Sequence, residues 1–259
     1  MLDSLYIAAT GMHAQQIGID TISNNLANVN TPAFKKGRVG FQDLMYRELA
    51  RANGPVGSAD NTLRSGVGVG VVGAGKLFTA GELKKTDAPL DLAIRGRGFF
   101  EVVLADGTHA YTRAGALQID KDGMLGTADG HVLEPSIQVP SDASSVTIET
   151  SGRVLAVVPD EKEPVEIGTI QLADFVNPAG LKAQGENLYL PSERSGDAFV
   201  GKPGEQNFGT VAQGFLESSN VKLIEEFINL IVAQRAYEVS AKAIQASDEM
   251  LGIANNLRR

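Results

Sequence analysis

The residues whose types and spacing most suggest ligand chemistry are Gly68-Val-Gly70-Val-Val-Gly73, a literal G-x-G-x-x-G. Dinucleotide binding at that spacing needs a strand running into the glycines and a helix opening on them, so that helix N–H groups meet the pyrophosphate. Here more Gly-rich chain precedes the run, and Lys76 to Gly81 is too short for a helix before the next glycine. The overlapping Gly70 to Lys76 reads G-x-x-x-x-G-K, but Leu77 stands where a phosphate loop needs a hydroxyl for Mg²⁺. Both runs read first as flexible or strand-like chain. A nucleotide-binding enzyme built on this segment is the rival from another class, and thermal-shift assays with ATP and NAD discriminate it.

Other reactive groups are sparse. His13, His109 and His131 share no ligand spacing, and no H-E-x-x-H occurs. Asp120-Lys-Asp122-Gly123 hints at a Ca²⁺ loop but lacks the third acidic position and the distal Glu, so it reads as a turn. There is no G-x-S-x-G, and zero cysteines exclude disulfides, thiolate metal sites and a thiol nucleophile. Glu225-Glu226 falls on a predicted helix surface, where solvation is the default. No catalytic, cofactor-binding or metal-binding residue is assigned, and no cofactor is expected.

A net charge of −8 among 259 residues argues against nucleic-acid binding, which needs a basic face. No apolar run approaches the roughly 18 residues of a membrane span, so no membrane insertion is expected. Asp3 sits where a Sec signal wants a basic residue, and the apolar run Leu5 to Ala9 breaks at Thr10-Gly11. Export by that route is not expected.

The elements follow from the breakers. All 10 prolines lie between Pro32 and Pro203, and of 29 glycines only Gly11, Gly18 and Gly252 fall in 1–31 and 216–259. Both ends are therefore predicted helical. Leu5, Ala9, Met12, Gln16, Ile19, Ser23 and Leu26 step by 4, 3, 4, 3, a heptad seam that should end by Asn30-Thr31-Pro32. Leu223, Phe227, Leu230, Gln234, Tyr237, Ala241, Ile244, Asp248 and Leu251 repeat the rhythm, with Ser218-Ser219-Asn220 as candidate caps. Glu238 and Lys242 are spaced as an i, i+4 pair. Ile224, Ile228 and Ile231 widen the second stripe beyond what a two-helix seam needs.

The shorter first helix cannot cover that surplus. About ten stripe residues at roughly 1.5–3 kcal/mol each hold some 15–30 kcal/mol of gross burial energy. Either a β domain covers the remainder or other subunits do, and the pattern favours other subunits.

Between the helices, Phe41 to Leu49 is compatible with a short helix, and Ala52 to Ser65 reads as an extended loop. Val67, Val69 and Val71 alternate with glycine and would share one strand face. From Gly81 to Val211 strand-like runs dominate: 91–95, 99–104, 109–112, 117–120, 131–133, 146–149, 154–158 and 165–172. Asp106-Gly107, Asp122-Gly123 and Asp129-Gly130 are hairpin signals. The fold class is α+β. Two heptad-patterned terminal helices are expected to flank an inserted, mainly antiparallel β domain and a long extended Gly-rich segment. The divisions are 1–36, 37–80, 81–214 and 215–259.

Three stretches carry a resemblance. Ser23-Asn-Asn-Leu-Ala-Asn-Val-Asn-Thr-Pro-Ala-Phe-Lys35 resembles the N-terminal signature of the flagellar rod and hook axial proteins. Gly81 to Phe100 is similar to their central signature, and Val232 to Leu251 to their C-terminal one. One departure is Pro32-Ala33, where the family commonly has Gly before the Phe. The signature turn then comprises Asn25, Asn28, Thr31 and Phe34. By size and single β domain the chain looks most like the distal-rod members, with proximal-rod subunits the nearest competitors. The Gly/Ser/Asn-rich stretch 47–75 resembles the segment that distinguishes distal rod from hook.

The resemblance implies a non-enzymatic, self-assembling tube in the bacterial flagellar basal body, its terminal helices forming a coiled-coil layer. It crosses the periplasm to the outer membrane and transmits torque to the hook. Leu5, Met12, Ile19 and Leu26, with Leu223, Phe227, Leu230, Tyr237, Ile244 and Leu251, would then be assembly residues. The implied partners are further copies, proximal rod proteins, hook protein, rod cap and periplasmic and outer-membrane ring proteins. Export would use the flagellar type III apparatus. Phe41-Gln-Asp-Leu-Met45 resembles the export-gate motif of its substrates; a stretch of amphipathic helix is the equal alternative.

Overall fold

Residues 2–27, free of proline and of β-branched runs, form one helix, Leu2–Ala27 (α1). The computed structural model describes residues 2–44, 46–48, 64–159, 163–205 and 207–256. The chain divides into two units: Met1–Ala27, Gly37–Gly75 and Lys222–Arg259 form one, and Asn28–Lys36 with Lys76–Val221 form the other.

In the first unit α1 packs against Leu223–Asn256 (α2). The helices run antiparallel. Asn25 meets Glu226 and Gly11 faces Ser240, so fourteen residues back along α1 match fourteen residues on along α2. That interval is two heptads, so the same stripe of each helix stays in contact. The buried or half-buried positions among the described residues of α2 are Glu226, Leu230, Ala233, Ala236, Ser240, Ala241, Ile244, Ser247 and Leu251. The expected rhythm is therefore present, but the seam is only partly the expected one. Leu230, Ile244 and Leu251 lie in it, whereas Leu223, Phe227 and Tyr237 are exposed. Small residues took the contact because they let the two backbones approach. Ser240 and Ser247 enter without orphaned hydroxyls, donating to Ala236 O at 3.0 Å and Ala243 O at 2.8 Å.

Three local expectations are corrected, the third of them in the second unit. Phe41 lies in the strand Gly37–Asp43, not in a helix. Glu238 is held by Arg235 Nη1 at 2.9 Å, one turn back, rather than by Lys242. The candidate cap Asn220 does not cap α2: its side chain accepts from Lys36 N at 2.7 Å and donates to Leu77 O at 2.7 Å. The strand Gly37–Asp43 pairs with Val69–Lys76, and Tyr46–Glu48 pairs antiparallel with Arg64–Gly66. Val69 and Val71 share one face of their strand, while Val67 precedes it.

The second unit is antiparallel β. Its largest sheet runs Lys182–Gly185, Leu188–Leu190, His109–Thr112, Phe99–Val103, Val132–Glu134, Leu125–Thr127 and Leu117–Ile119. Phe99–Val103 also pairs with Leu172–Asp174, and that strand with Phe199–Gly201. A three-stranded sheet joins Ser145–Ile148, Arg153–Val157 and Val165–Thr169. Leu92–Arg95 pairs with Thr210–Gln213, and Leu83–Lys85 with Phe215–Glu217. The last pair places 215–217 in a strand where the helical segment was expected to begin.

Strand alternation splits the interior into two clusters. Phe100 and Val102 join Leu92, Ile94, Leu125 and Leu133, all fully buried. Phe99 turns the other way into a ring cluster with Phe78, Tyr111, Phe175 and Tyr189, edge to face at 4.8–6.3 Å. All three Asp-Gly signals are turns. Gly107 N, Gly123 N and Gly130 N donate to Leu104 O, Asp120 O and Thr127 O, each glycine at positive φ. The run 165–172 is two strands in different sheets, parted where buried Ile170 donates its N–H to Gly152 O.

Candidate assembly surface

The apolar residues of α2 that the seam leaves out form its outer face. Ile224 is 74% exposed, Ile228 56%, Ile231 57% and Val232 61%, with Leu223 and Phe227 also exposed beside them. At 100° per residue these six span half the helix circumference, opposite Glu226, Ala233 and Ser240. Val239, Met250 and Ile253 are exposed on the same side farther along, beyond the Arg235–Glu238 ion pair that interrupts the apolar surface, whereas Tyr237 lies on the seam side. At roughly 150 Å² per large apolar residue, the exposed parts of these six amount to about 500 Å². That matches the largest apolar patch of a typical monomer, which is often a functional surface. On α1, Leu5, Met12, Ile19 and Leu26 are half-buried.

Asn25 ties the first unit together. Its Nδ2 donates to Glu226 Oε2 and to Gly37 O, both at 3.0 Å, and its Oδ1 accepts from Gly37 N at 2.7 Å. The side-chain amide pairs with one residue of the Gly37–Asp43 strand as a neighbouring strand would. It also donates to one oxygen of a buried carboxylate in α2. Gly68 has a different task. With φ at +121° it lies so close to α1 that a Cβ would strike Thr10 Oγ1, and the same hydroxyl accepts from Val69 N at 3.4 Å. The glycine thus serves close packing, not phosphate binding. Gly70 to Lys76 lies in a strand with no helix opening after it, which removes the structural basis for the nucleotide reading.

In the second unit the signature turn meets a buried charge cluster. Thr31 N donates to Asn28 O at 3.2 Å and Phe34 N to Thr31 O at 3.3 Å. Ala33 takes φ of +59°, the left-handed conformation for which glycine is the unstrained residue. Phe34 is buried beneath the Lys76 ammonium, 4.1 Å from the ring centroid. Glu217 Oε1 accepts from Lys35 Nζ at 2.5 Å and from Gly81 N at 2.8 Å, and Oε2 lies 3.0 Å from Arg113 Nε. Lys35 also donates to Thr79 O at 2.9 Å, and Arg113 to Gly96 O and Gly98 O. All three side chains are at most 5% exposed. Burial pushes the Lys35 ammonium below its usual range, and Arg113 adds to the shift; Glu217 opposes it. The cluster joins the turn after α1, the 81–98 segment and the strand 215–217.

The sequence reading missed Lys35, Arg113, Glu217, Asn220 and Glu226 as structural determinants. No local spacing marks Lys35, Arg113, Glu217 or the inter-strand contacts of Asn220, because each acts on chain remote in sequence; Glu226, read as solvated, is buried at a seam position in 4, 3 step with Leu230 and Ala233. Of the turn residues it named, Asn25 and Phe34 are buried and Asn28 and Thr31 half-buried. Phe41 is 48% exposed. Met45, like most of Ala52 to Ser65, lies outside the described residues. Among the described residues no group of His, Cys, Asp and Glu could hold a metal, and no helix is long and apolar enough to cross a membrane. His109 Nδ1 stands 2.9 Å from Glu101 Oε1 and His131 Nε2 3.3 Å from Glu186 Oε2.

Three family descriptions match in chain order. The flagella basal body rod protein family matches residues 5–35, the flagellar hook protein FlgE/F/G D1 domain 93–156, and the flagellar basal body rod FlgEFG protein C-terminal domain 212–257. They fall on α1 and its turn, on the β unit, and on α2. The flagellar basal-body rod protein FlgG of Borreliella burgdorferi is 45% identical, with 100% of both chains covered. That of Caulobacter vibrioides is 42% identical over 99% of this chain and 100% of its own. That of Bacillus subtilis is 41% identical over 100% of each. With end-to-end similarity at this level and all three matches in order, this chain belongs to the flagellar basal-body rod protein family.

Proposed function

We propose that the chain is a structural, non-catalytic subunit of the flagellar basal-body rod, of the distal type, and that copies of it assemble into a helical tube acting as drive shaft. The carrying observation is the outer ridge of α2: about 500 Å² of contiguous apolar surface that the chain's own helix pair leaves open. Such a face is stable in water only if something covers it. A heterologous contact repeated with a rotation that does not close gives a helical filament. The helices α1 and α2 would then form the coiled-coil layer lining the tube.

In this reading the proximal rod proteins adjoin one end and the hook protein the other. The rod cap guides growth, ring proteins surround the shaft, and the type III apparatus exports the chain. The stretch 47–75 would stiffen the shaft, held by neighbouring copies. The strand Val69–Lys76 pairs within its own chain, so any contact to a neighbour uses its free edge or face. The test is polymerisation of purified full-length protein, followed by light scattering against concentration and electron microscopy. Tubes support the reading. A monomer at all concentrations, together with unaltered motility in a strain lacking the chain, overturns it.

A further inference from the structure

A groove of about 920 Å³ opens in the second unit between the turn 120–123 and the loop 138–144. Leu90 and Val146 form its floor; both are half-buried and pack against the main core cluster beneath. Ile119, 42% exposed, stands in its wall. Two sheets end here. Leu117–Ile119 is the last strand of the largest sheet, and Ser145–Ile148 is the outer strand of the three-stranded one. Each edge is partly sealed. Leu117 N donates to Leu90 O at 3.3 Å. The Gln213 amide accepts from Ile148 N at 3.0 Å and donates to Val146 O at 2.9 Å, as a neighbouring strand would. Among the described residues, no strand pairs with the outer side of Ile119 or Ser145. The rim is acidic: Asp120, Asp122 and Asp142 line it, against the single cation Lys121.

We infer that this groove takes an extended segment of another protein, added as a strand, with aliphatic side chains on the floor and lysines or arginines toward its ends. The inference rests on the β unit alone and does not depend on the rod reading. Three observations select that occupant. Open strand edges offer backbone donors and acceptors that an extended chain satisfies and a helix does not. The floor is aliphatic and none of the described lining residues is aromatic, which suits alternate aliphatic side chains and gives nothing for a base to stack on. The rim carboxylates are unengaged by cations: among the described residues none of the three forms an ion pair, and Asp120 Oδ1 accepts from Lys121 N at 2.7 Å. They also stand apart, since no group of acidic side chains among the described residues could hold a metal. Spaced carboxylates match the spaced positive groups of a peptide, not a single ion. The chain's own charge of −8 disfavours a further copy at this acidic face.

The probe is a fluorescein-labelled peptide of about seven residues, roughly 23 Å when extended, with a lysine at each end and valine alternating with threonine between them. Added to the full-length protein, it should bind saturably by fluorescence anisotropy, with a Kd below about 1 mM. The same peptide with glutamate in place of lysine should bind at least about tenfold more weakly. So should one with proline in place of threonine, which lacks the backbone donors of an added strand. Asp120→Asn/Asp142→Asn should weaken the lysine peptide at least about tenfold and remove most of its salt dependence. Both positions are exposed, and an amide at 120 still accepts from Lys121 N, so circular dichroism should match the parent. Ile119→Lys, on a side chain 42% exposed, should abolish binding with the same spectrum. The inference is overturned if the lysine peptide does not bind saturably, if the glutamate or proline peptide binds as well, or if the variants bind like the parent. Loss of self-assembly in Ile119→Lys would mean that a second copy occupies the groove, and overturns it too.

Discussion

Asn25 and Glu226, 201 residues apart in the chain, are joined by a 3.0 Å hydrogen bond in the seam between the two terminal helices. Asn25 is 2% exposed and Glu226 1%. The same amide holds Gly37 by both its N–H and its C=O. One polar side chain thereby sets the register of α1, α2 and the strand Gly37–Asp43, in an interface whose other contacts are small and tolerant of sliding.

Asn25→Leu should therefore destabilise the helix pair by about 2–4 kcal/mol, since it strands buried backbone groups of Gly37 and removes a hydrogen bond to a carboxylate. Asn25→Asp should cost at least as much: Gly37 N keeps its acceptor, but the new carboxylate donates to neither Gly37 O nor Glu226 and sets a second buried negative charge beside that carboxylate. Urea unfolding followed by far-ultraviolet circular dichroism measures both. Equal, small effects would remove the register role.

How far the seam was legible follows from these residues. The 4, 3 rhythm was visible, and it placed Leu230, Ile244 and Leu251 correctly. It misplaced Leu223 and Phe227 because a periodicity argument assigns the largest apolar residues to the nearest interface. Here the small residues Gly11, Ala14, Ala233, Ser240 and Ser247 took the intrachain contact and the large ones were left outside. The apolar surplus was nonetheless readable, as a stripe too wide for two helices. In the β unit the hairpins at Gly107, Gly123 and Gly130 were readable because Asp-Gly specifies a turn locally. The three-residue strands Leu125–Thr127 and Phe215–Glu217 were missed, although the equally short Leu117–Ile119 and Val132–Glu134 fall on runs the sequence marks as strand-like. The Lys35–Arg113–Glu217 cluster was invisible because its members are scattered along the sequence.

Glu217→Gln should cost the β unit about 3–5 kcal/mol, because it leaves Lys35 and Arg113 as buried cations without their counter-charge. Lys35→Met leaves Glu217 with Arg113 and the Gly81 N–H, and should cost about 1–2 kcal/mol. Tyrosine fluorescence during denaturation separates the two. A milder effect for Glu217→Gln than for Lys35→Met would refute the assignment of Glu217 as the hub.

Alkaline pH should weaken the β unit through Tyr111, whose phenol is pushed up to about 12 by burial and the neighbouring Glu101. A folded-state value above the unfolded one of about 10 means stability is fully present below pH 10 and lost as pH rises toward 12. Two pH units correspond to about 2–3 kcal/mol. Lys35 acts with the opposite sign: its value is lowered, so its burial penalty is relieved as pH rises through that lowered value toward about 10.5. Tyr111→Phe should flatten the decline between pH 10 and 12, as read by denaturant midpoints. An unchanged decline would place the alkaline sensitivity elsewhere.

Deleting about Arg51 to Ser65, most of which lies outside the described residues, should leave secretion and polymerisation largely intact but give curved or bendable rods. A Gly-rich segment is flexible alone and can stiffen a shaft only when neighbours hold it. Curvature of purified basal bodies by electron microscopy is the readout. Straight rods would move the source of stiffness to the helical layer.

The central claim, that the outer face of α2 is covered by other copies, is tested most directly by thiol accessibility. The chain has no cysteine, so Ile231→Cys introduces a single reporter on a side chain that is 57% exposed. Maleimide labelling of the monomer should be fast, and labelling of the assembled rod should fall by at least about tenfold. A cysteine at Val176, 74% exposed in the β unit, serves as a reference on the other unit. Equal labelling of Ile231→Cys in monomer and rod would contradict the account.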